Sequence, residues 1–253
     1  MNQDHKDYKY SVGSWLTIPN EEVTEIMAGA GYDWLTIDME HSAITLDKAQ
    51  AMIRIIELCQ VRPLVRVGAN DPTLIKRVMD AGSHGVIVPM VNCKQDAECA
   101  VGAVKYPPVG FRGVGLARAQ EYGLGFEKYK KWNDKHSLVV VQVEHIQSVE
   151  NLEDILNVEG VDGFIVGPYD LSASLGVPGQ FDHPAVIDAL QKVMDVSTSY
   201  DALRGFHVVP PDAQKFKQKV DEGYNFLAYS LDSLILANSC QNMLHQVREF
   251  MHE

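Results

Sequence analysis

Short apolar runs recur along the chain, and four of them end abruptly in an ionisable side chain. Residues 32–37 lead into Asp38-Met39-Glu40-His41, and Leu64-Val65 leads into Arg66. Val139-Val140-Val141-Gln142-Val143 leads into Glu144, and Phe164-Ile165-Val166 leads through Gly167-Pro168-Tyr169 to Asp170. Runs that are continuously apolar rather than alternating belong to strands buried on both faces, as in parallel sheets covered by helices. Eight strands are expected on this basis, over 12–16, 32–38, 63–67, 85–88, 138–144, 162–166, 205–209 and 225–230. The stretches between them carry helical spacing, such as Leu46, Ala49, Met52, Ile53 and Ile56 behind Thr45, and helix starts at Asn20 and Asp71-Pro72. Strands alternating with helices in short units require right-handed crossovers and a parallel sheet. The expectation is an α/β fold, a single-domain (β/α)8 TIM barrel over 1–253. In such a barrel the C-terminal strand ends share one face, so groups far apart in sequence converge there. An open doubly wound sheet competes, but no Gly-x-Gly-x-x-Gly turn follows the first strand. Two segments read as irregular: residues 106–136, a long loop with one short helix, and 167–183, a second loop. Residues 149–156 read as one helix, and the last helix is expected over 231–251.

The formal net charge is −12, which argues against non-specific binding to nucleic acid or anionic membranes. An anionic substrate would therefore need a local positive centre, either a metal ion or an arginine. No apolar run approaches the ~20 residues that span a bilayer. Residues 1–10 are polar, which is not the pattern of a signal peptide, and read as a flexible extension. The four cysteines, Cys59, Cys93, Cys99 and Cys240, lack zinc-site pairing and suit free thiols in a reducing cytoplasm.

Glu144 and Asp170 close neighbouring strands. Two such carboxylates can share a hard divalent cation, Mg²⁺, Mn²⁺ or Co²⁺, with water and substrate oxygens in the remaining positions; they can equally be solvated acids at loop starts. His41 is a candidate general base, or a surface histidine beside two acids. Arg66 can hold a carboxylate or a developing oxyanion, or pair with Asp38 or Glu144. None of the fourteen lysines lies in or at the end of an expected strand, which favours metal-assisted enolate chemistry over imine formation. Gly167-Pro168-Tyr169 turns the chain where main-chain amides can meet a small carboxylate.

Gly29-Ala30-Gly31-Tyr32-Asp33-Trp34, Ile37-Asp38-Met39-Glu40-His41, Val88-Pro89-Met90-Val91, Tyr106-Pro107-Pro108 with Arg112-Gly113, and Val158-Glu159-Gly160-Val161-Asp162-Gly163 running to Ser172 together resemble the HpcH/HpaI aldolase family over residues 12–250. The resemblance implies a (β/α)8 barrel and a class II pyruvate aldolase that cleaves a 4-hydroxy-2-oxo acid to pyruvate and an aldehyde through a metal-stabilised enolate. It implies Glu144 and Asp170 as metal ligands, Arg66 as holder of the pyruvate portion, and His41 as base, with Asp80 as its partner. Asp38 is the rival for orienting His41. Gln142, Gly167, Pro168 and Tyr169 are implied around the substrate, Tyr169 standing where relatives carry a smaller residue. The resemblance also implies a homo-oligomer, a hexamer with the last helix exchanged. Two other readings stand beside it: a CoA-ester lyase of the citrate lyase β type, and a non-catalytic barrel that binds a keto acid.

Overall fold

The computed structural model describes residues 10–251. The extension expected at the N-terminus therefore lies, except for Tyr10, outside the described residues. Eight parallel strands close a barrel in sequence order: β1 (Ser11–Leu16), β2 (Trp34–Asp38), β3 (Arg62–Arg66), β4 (Gly85–Val88), β5 (Leu138–Val143), β6 (Gly163–Val166), β7 (Leu203–Val208) and β8 (Phe226–Leu231). Helices α1 (Glu21–Gly29), α2 (Leu46–Leu58), α3 (Pro72–Ala81) and α4 (Lys94–Val104) follow the first four strands. The caps are local in origin: Asn20 accepts from the Val23 amide, and Asp71 from the amides of Thr73 and Leu74 ahead of Pro72.

Three of the sequence-based expectations need correction. Residues 106–117 are irregular as expected, but 118–136 hold more helix than expected, with a 3₁₀ segment (Arg118–Gly123) kinked at Glu121-Tyr122 and the eleven-residue α5 (Phe126–His136). The reason is tertiary. Lys105 is buried and donates from Nζ to the carbonyls of Asn133 (2.9 Å) and Ser137 (3.3 Å), so a lysine outside α5 ties down its C-terminal end. The helix expected over 149–156 is broken at Asn151 into α6 (Ile146–Glu150) and α7 (Leu152–Leu156). The loop after β6 opens at once into α8 (Pro168–Ser174), with Pro168 in its first turn. The chain continues through α9 (Pro184–Ser197), α10 (Ala213–Asp221) and α11 (Asp232–Phe250).

Alternation along each strand sends one set of side chains inward in layers. Trp34 and Phe226 stack across the lower barrel at 4.2 Å, and Gly13 makes room for them: a Cβ there would lie 2.0 Å from the Trp34 ring. Trp15, Leu64, Ile87, Val140, Ile165 and Ala228 fill the interior with them. Towards the C-terminal ends of the strands the inward positions turn polar, with Asp38, Arg66, Gln142 and His207. That change marks the floor of the site. Among the described residues no helix is long and apolar enough to cross a membrane.

Candidate active site

Register makes Asp38 and Arg66 direct neighbours at the ends of β2 and β3. Arg66 donates from Nε to Asp38 Oδ1 (3.0 Å) and from Nη2 to Oδ2 (2.7 Å), a two-point pair. Its Nη1 stands 3.2 Å from Glu40 Oε2, and the guanidinium lies 4.4 Å over the Trp15 ring. Asp38 Oδ1 also accepts the main-chain N–H groups of Glu40 (3.0 Å) and His41 (3.2 Å). Burial pushes the Asp38 carboxyl up, but Arg66 and those two amides outweigh it and hold the group below the usual carboxylate range.

Asp38 therefore does not orient the His41 ring; it holds the His41 main chain and Arg66. The imidazole itself projects into the cleft, its side chain 64% exposed, with Nε2 3.8 Å from Glu40 Oε2. Glu40 is the acid beside it. Asp80 is not near His41 within a protomer: it sits at the end of α3, on the opposite face from the strand tips, with Oδ1 2.5 Å from Arg112 Nη2. Tyr106 and Tyr129 surround that guanidinium.

Glu144 stands just past β5 and is buried. Its Oε1 accepts the Met90 main-chain N–H at 2.7 Å, and its Oε2 accepts from Gln142 Nε2. Met90 reaches it from a left-handed conformation, φ 53°, a region that non-glycine residues rarely occupy. Burial raises the Glu144 carboxyl to about 7, with the negative charges of Glu40 and Asp170 adding to the shift against Met90 and Arg66. Glu40 is likewise raised, by burial first and then by Asp38 and Asp170, although Arg66 and His41 oppose it. One guanidinium thus faces four carboxylates.

This surplus of negative charge on hard oxygen donors fits a divalent cation. Gln142 Oε1 is buried without a hydrogen-bond partner. Gly167 leaves the space that these groups use: a Cβ there would lie 3.0 Å from Gln142 Nε2 and 3.3 Å from Glu144 Cβ. Among the described residues no three His, Cys, Asp or Glu side chains form a ready-made metal cage. The donor set is instead a pair of carboxylates with room for water and substrate, the usual arrangement for Mg²⁺.

The amides expected around Gly167 are partly committed elsewhere. The Gly167 N–H donates to Val143 O at 3.1 Å, and Pro168 has none. The donors left over are those of Tyr169 and Asp170 in the first turn of α8, which have no intrahelical acceptor. Four contributors escaped the sequence reading. Glu40 and Trp15 lay within or beside motifs already noticed, and strand alternation would have turned His207 inward. Met90 lay within the Val88-Pro89-Met90-Val91 motif, but its role rests on a backbone conformation that the motif does not reveal.

A barrel whose polar mouth combines an arginine with surplus carboxylates defines an enzyme of the TIM-barrel type. Residues 11–239 match the family model described as HpcH/HpaI aldolase/citrate lyase. The 4-hydroxy-2-oxo-heptane-1,7-dioate aldolase of Shigella sonnei is 36% identical over 232 residues, covering 91% of this chain and 87% of the relative. The pyruvate aldolase of Rhizobium etli is 35% identical, covering 92% and 91%. An HpcH/HpaI aldolase/citrate lyase family protein from Burkholderia cenocepacia superposes with a TM-score of 0.90 at 33% identity, covering 96% of each chain. The chain belongs to the HpcH/HpaI aldolase/citrate lyase family, and it is a lyase of the aldolase kind.

Proposed function

We propose that the whole chain, residues 1–253, acts as one barrel domain that reversibly cleaves a 4-hydroxy-2-oxo acid to pyruvate and an aldehyde, using a divalent cation held by Glu144 and Asp170. The observation that carries this reading is the single arginine set among surplus carboxylates, which provides an anion-binding cation beside a hard-cation site. The cation, when bound, supplies Lewis-acid stabilisation of negative charge on the substrate oxygens. Arg66, braced by Asp38 and Trp15, holds the pyruvate portion through its carboxylate and faces the charge that develops at the keto oxygen. The Tyr169 and Asp170 amides and Gln142 position the same portion. His41 takes the proton from the C4 hydroxyl, directly or through a water. The C3–C4 bond then breaks, its electron pair moving onto the pyruvate part as an enolate, and C3 afterwards takes up a proton. Asp80 reaches His41 only if it comes from a second copy, consistent with its distance from the site within one protomer. Oligomerisation has its own support, since Met243, Leu244, Val247 and Phe250 of α11 are exposed. All four cysteines are free, in keeping with a cytoplasmic protein.

The test is proton exchange at the methyl group of pyruvate in D₂O, followed by NMR, on chelated protein with and without added Mg²⁺ or Mn²⁺. Exchange only with metal is the expected result. Absence of exchange with every divalent ion, in folded protein, refutes the proposal and moves the CoA-lyase and binding-protein readings ahead.

A further inference from the structure

His207 has no part in holding the cation or the pyruvate portion, yet it stands inside the barrel mouth. Its neighbours on β7, Phe206 and Val208, belong to the apolar layer under the helices, so alternation turns the His207 side chain inward. The β6–β7 register pairs Val166 with Phe206, which sets His207 level with Gly167, at the start of the turn that carries Asp170. Its ring stacks on Trp15, centroids 5.2 Å apart, and the same indole carries the Arg66 guanidinium at 4.4 Å. His207 is therefore one side chain away from the group that holds pyruvate.

The hydrogen bonds of the ring fix what it can recognise. Nε2 stands 3.1 Å from the Ser230 carbonyl oxygen. A carbonyl only accepts, so Nε2 carries the proton and Nδ1 is left as an acceptor. Burial depresses the imidazole to about 4, with Arg66 adding to the shift and Ser230 and Asp38 opposing it, so the ring is neutral near pH 7. Among the described residues no donor reaches Nδ1. The wall around it is short of partners in the same way. Trp15 Nε1, Thr36 Oγ1 and Ser230 Oγ are buried with no hydrogen-bond partner, and Trp15 and Thr36 are register neighbours on β1 and β2. Buried polar atoms are nearly always paired, so a group of unpaired ones calls for a polar occupant, a water or a substrate hydroxyl. Ser230 also holds a left-handed backbone, φ 57°, where β1 and β8 pair irregularly between Gly13 and Trp15. Strain of this kind collects at ligand sites.

A hydroxyl both donates and accepts, which suits a bare Nδ1 set among N–H and O–H donors. An alkyl group would leave that nitrogen unpaired. We infer that His207 selects the second substrate: its Nδ1 accepts the hydroxyl of a short α-hydroxy aldehyde, while the aldehyde carbon faces C3 of the pyruvate portion beside Arg66. The inference rests on the pyruvate-aldolase reading above and adds the class of aldehyde and the residue that reads it.

The test measures kcat/KM for aldol addition of pyruvate to glycolaldehyde and to propanal, which has a methyl group in place of the hydroxyl. The ratio in each variant is read against the unaltered protein, which cancels the aldehydes' own reactivities, and pyruvate deuterium exchange is followed alongside in the unaltered protein. His207→Leu lowers the glycolaldehyde-to-propanal ratio by roughly tenfold, the scale of one hydrogen bond. His207→Asn, whose Oδ1 can stand in for Nδ1, keeps most of the ratio. A ratio unchanged in His207→Leu, as when a water fills the wall or the variant merely loosens the barrel and slows both aldehydes alike, overturns the assignment. So does a ratio that falls as far in His207→Asn as in His207→Leu, because the loss then follows the ring and not the acceptor. In either case intact exchange leaves the aldolase reading standing, whereas absence of exchange in the unaltered protein removes both together.

Discussion

Replacing Arg66 with methionine removes one charge while keeping an apolar stem over Trp15. The wild-type pair is largely out of water, with side-chain exposures of 12% for Arg66 and 3% for Asp38. Arg66 also faces Glu40, so the substitution strands two buried carboxylates beside Glu144 and Asp170. Removing one partner of a buried pair costs about 3–5 kcal/mol. For a chain of this size that lowers Tm by about 6–20 °C. The pH dependence follows from the sign of the Asp38 shift. In the wild type its folded pKa is depressed, so its contribution is present above the ordinary carboxylate value and is lost as pH falls through the folded one. In Arg66→Met burial and like charges act on Asp38 against only the two main-chain amides of Glu40 and His41, so its folded pKa rises relative to the wild type, and the penalty is full at high pH and relieved as the carboxyl protonates. Urea unfolding of chelated protein at pH 8 and pH 5.5 measures this, and the deficit should be smaller at pH 5.5. A deficit below about 1 kcal/mol at pH 8, or one that grows on acidification, would refute the reasoning.

Three further outcomes are expected. Gly167→Ala drives a methyl group against Gln142 and Glu144 and should raise the Mn²⁺ dissociation constant by at least about tenfold, read by titration calorimetry, with an unchanged circular dichroism spectrum. His207, depressed to about 4, makes the unfolded chain bind more protons than the folded one between pH 6.5 and 4. Its stability contribution is therefore complete above pH 6.5 and declines by roughly 3 kcal/mol on acidification, and His207→Gln should flatten that part of the urea-stability profile. Placing aspartates at Leu244 and Val247, both exposed on α11, should lower the sedimenting mass; an unchanged mass would remove α11 from the assembly.

The barrel was legible because its strands are continuously apolar and its helices carry their own caps, both local properties. Residue pairing was less so. Asp38 and Arg66 were both visible at strand ends, but their pairing depends on a register between positions 28 apart in the chain, and that pairing is what engages the Asp38 carboxylate. Helix α5 was hidden because its sequence, Phe126 to His136, is polar and buries only Tyr129 and Asn133. Its anchors, Lys105 and Arg112, lie outside it.

The amino-acid sequence alone determined that eight buried strands deliver Asp38, Arg66, Glu144 and Asp170 to one face, since parallel strands in a closed barrel all end on the same side. Tertiary structure decided what those groups do to one another. Whether a carboxylate is lowered, like Asp38, or raised, like Glu144, depends on which neighbour lies within hydrogen-bonding reach and how much water remains, and both are properties of the packed barrel.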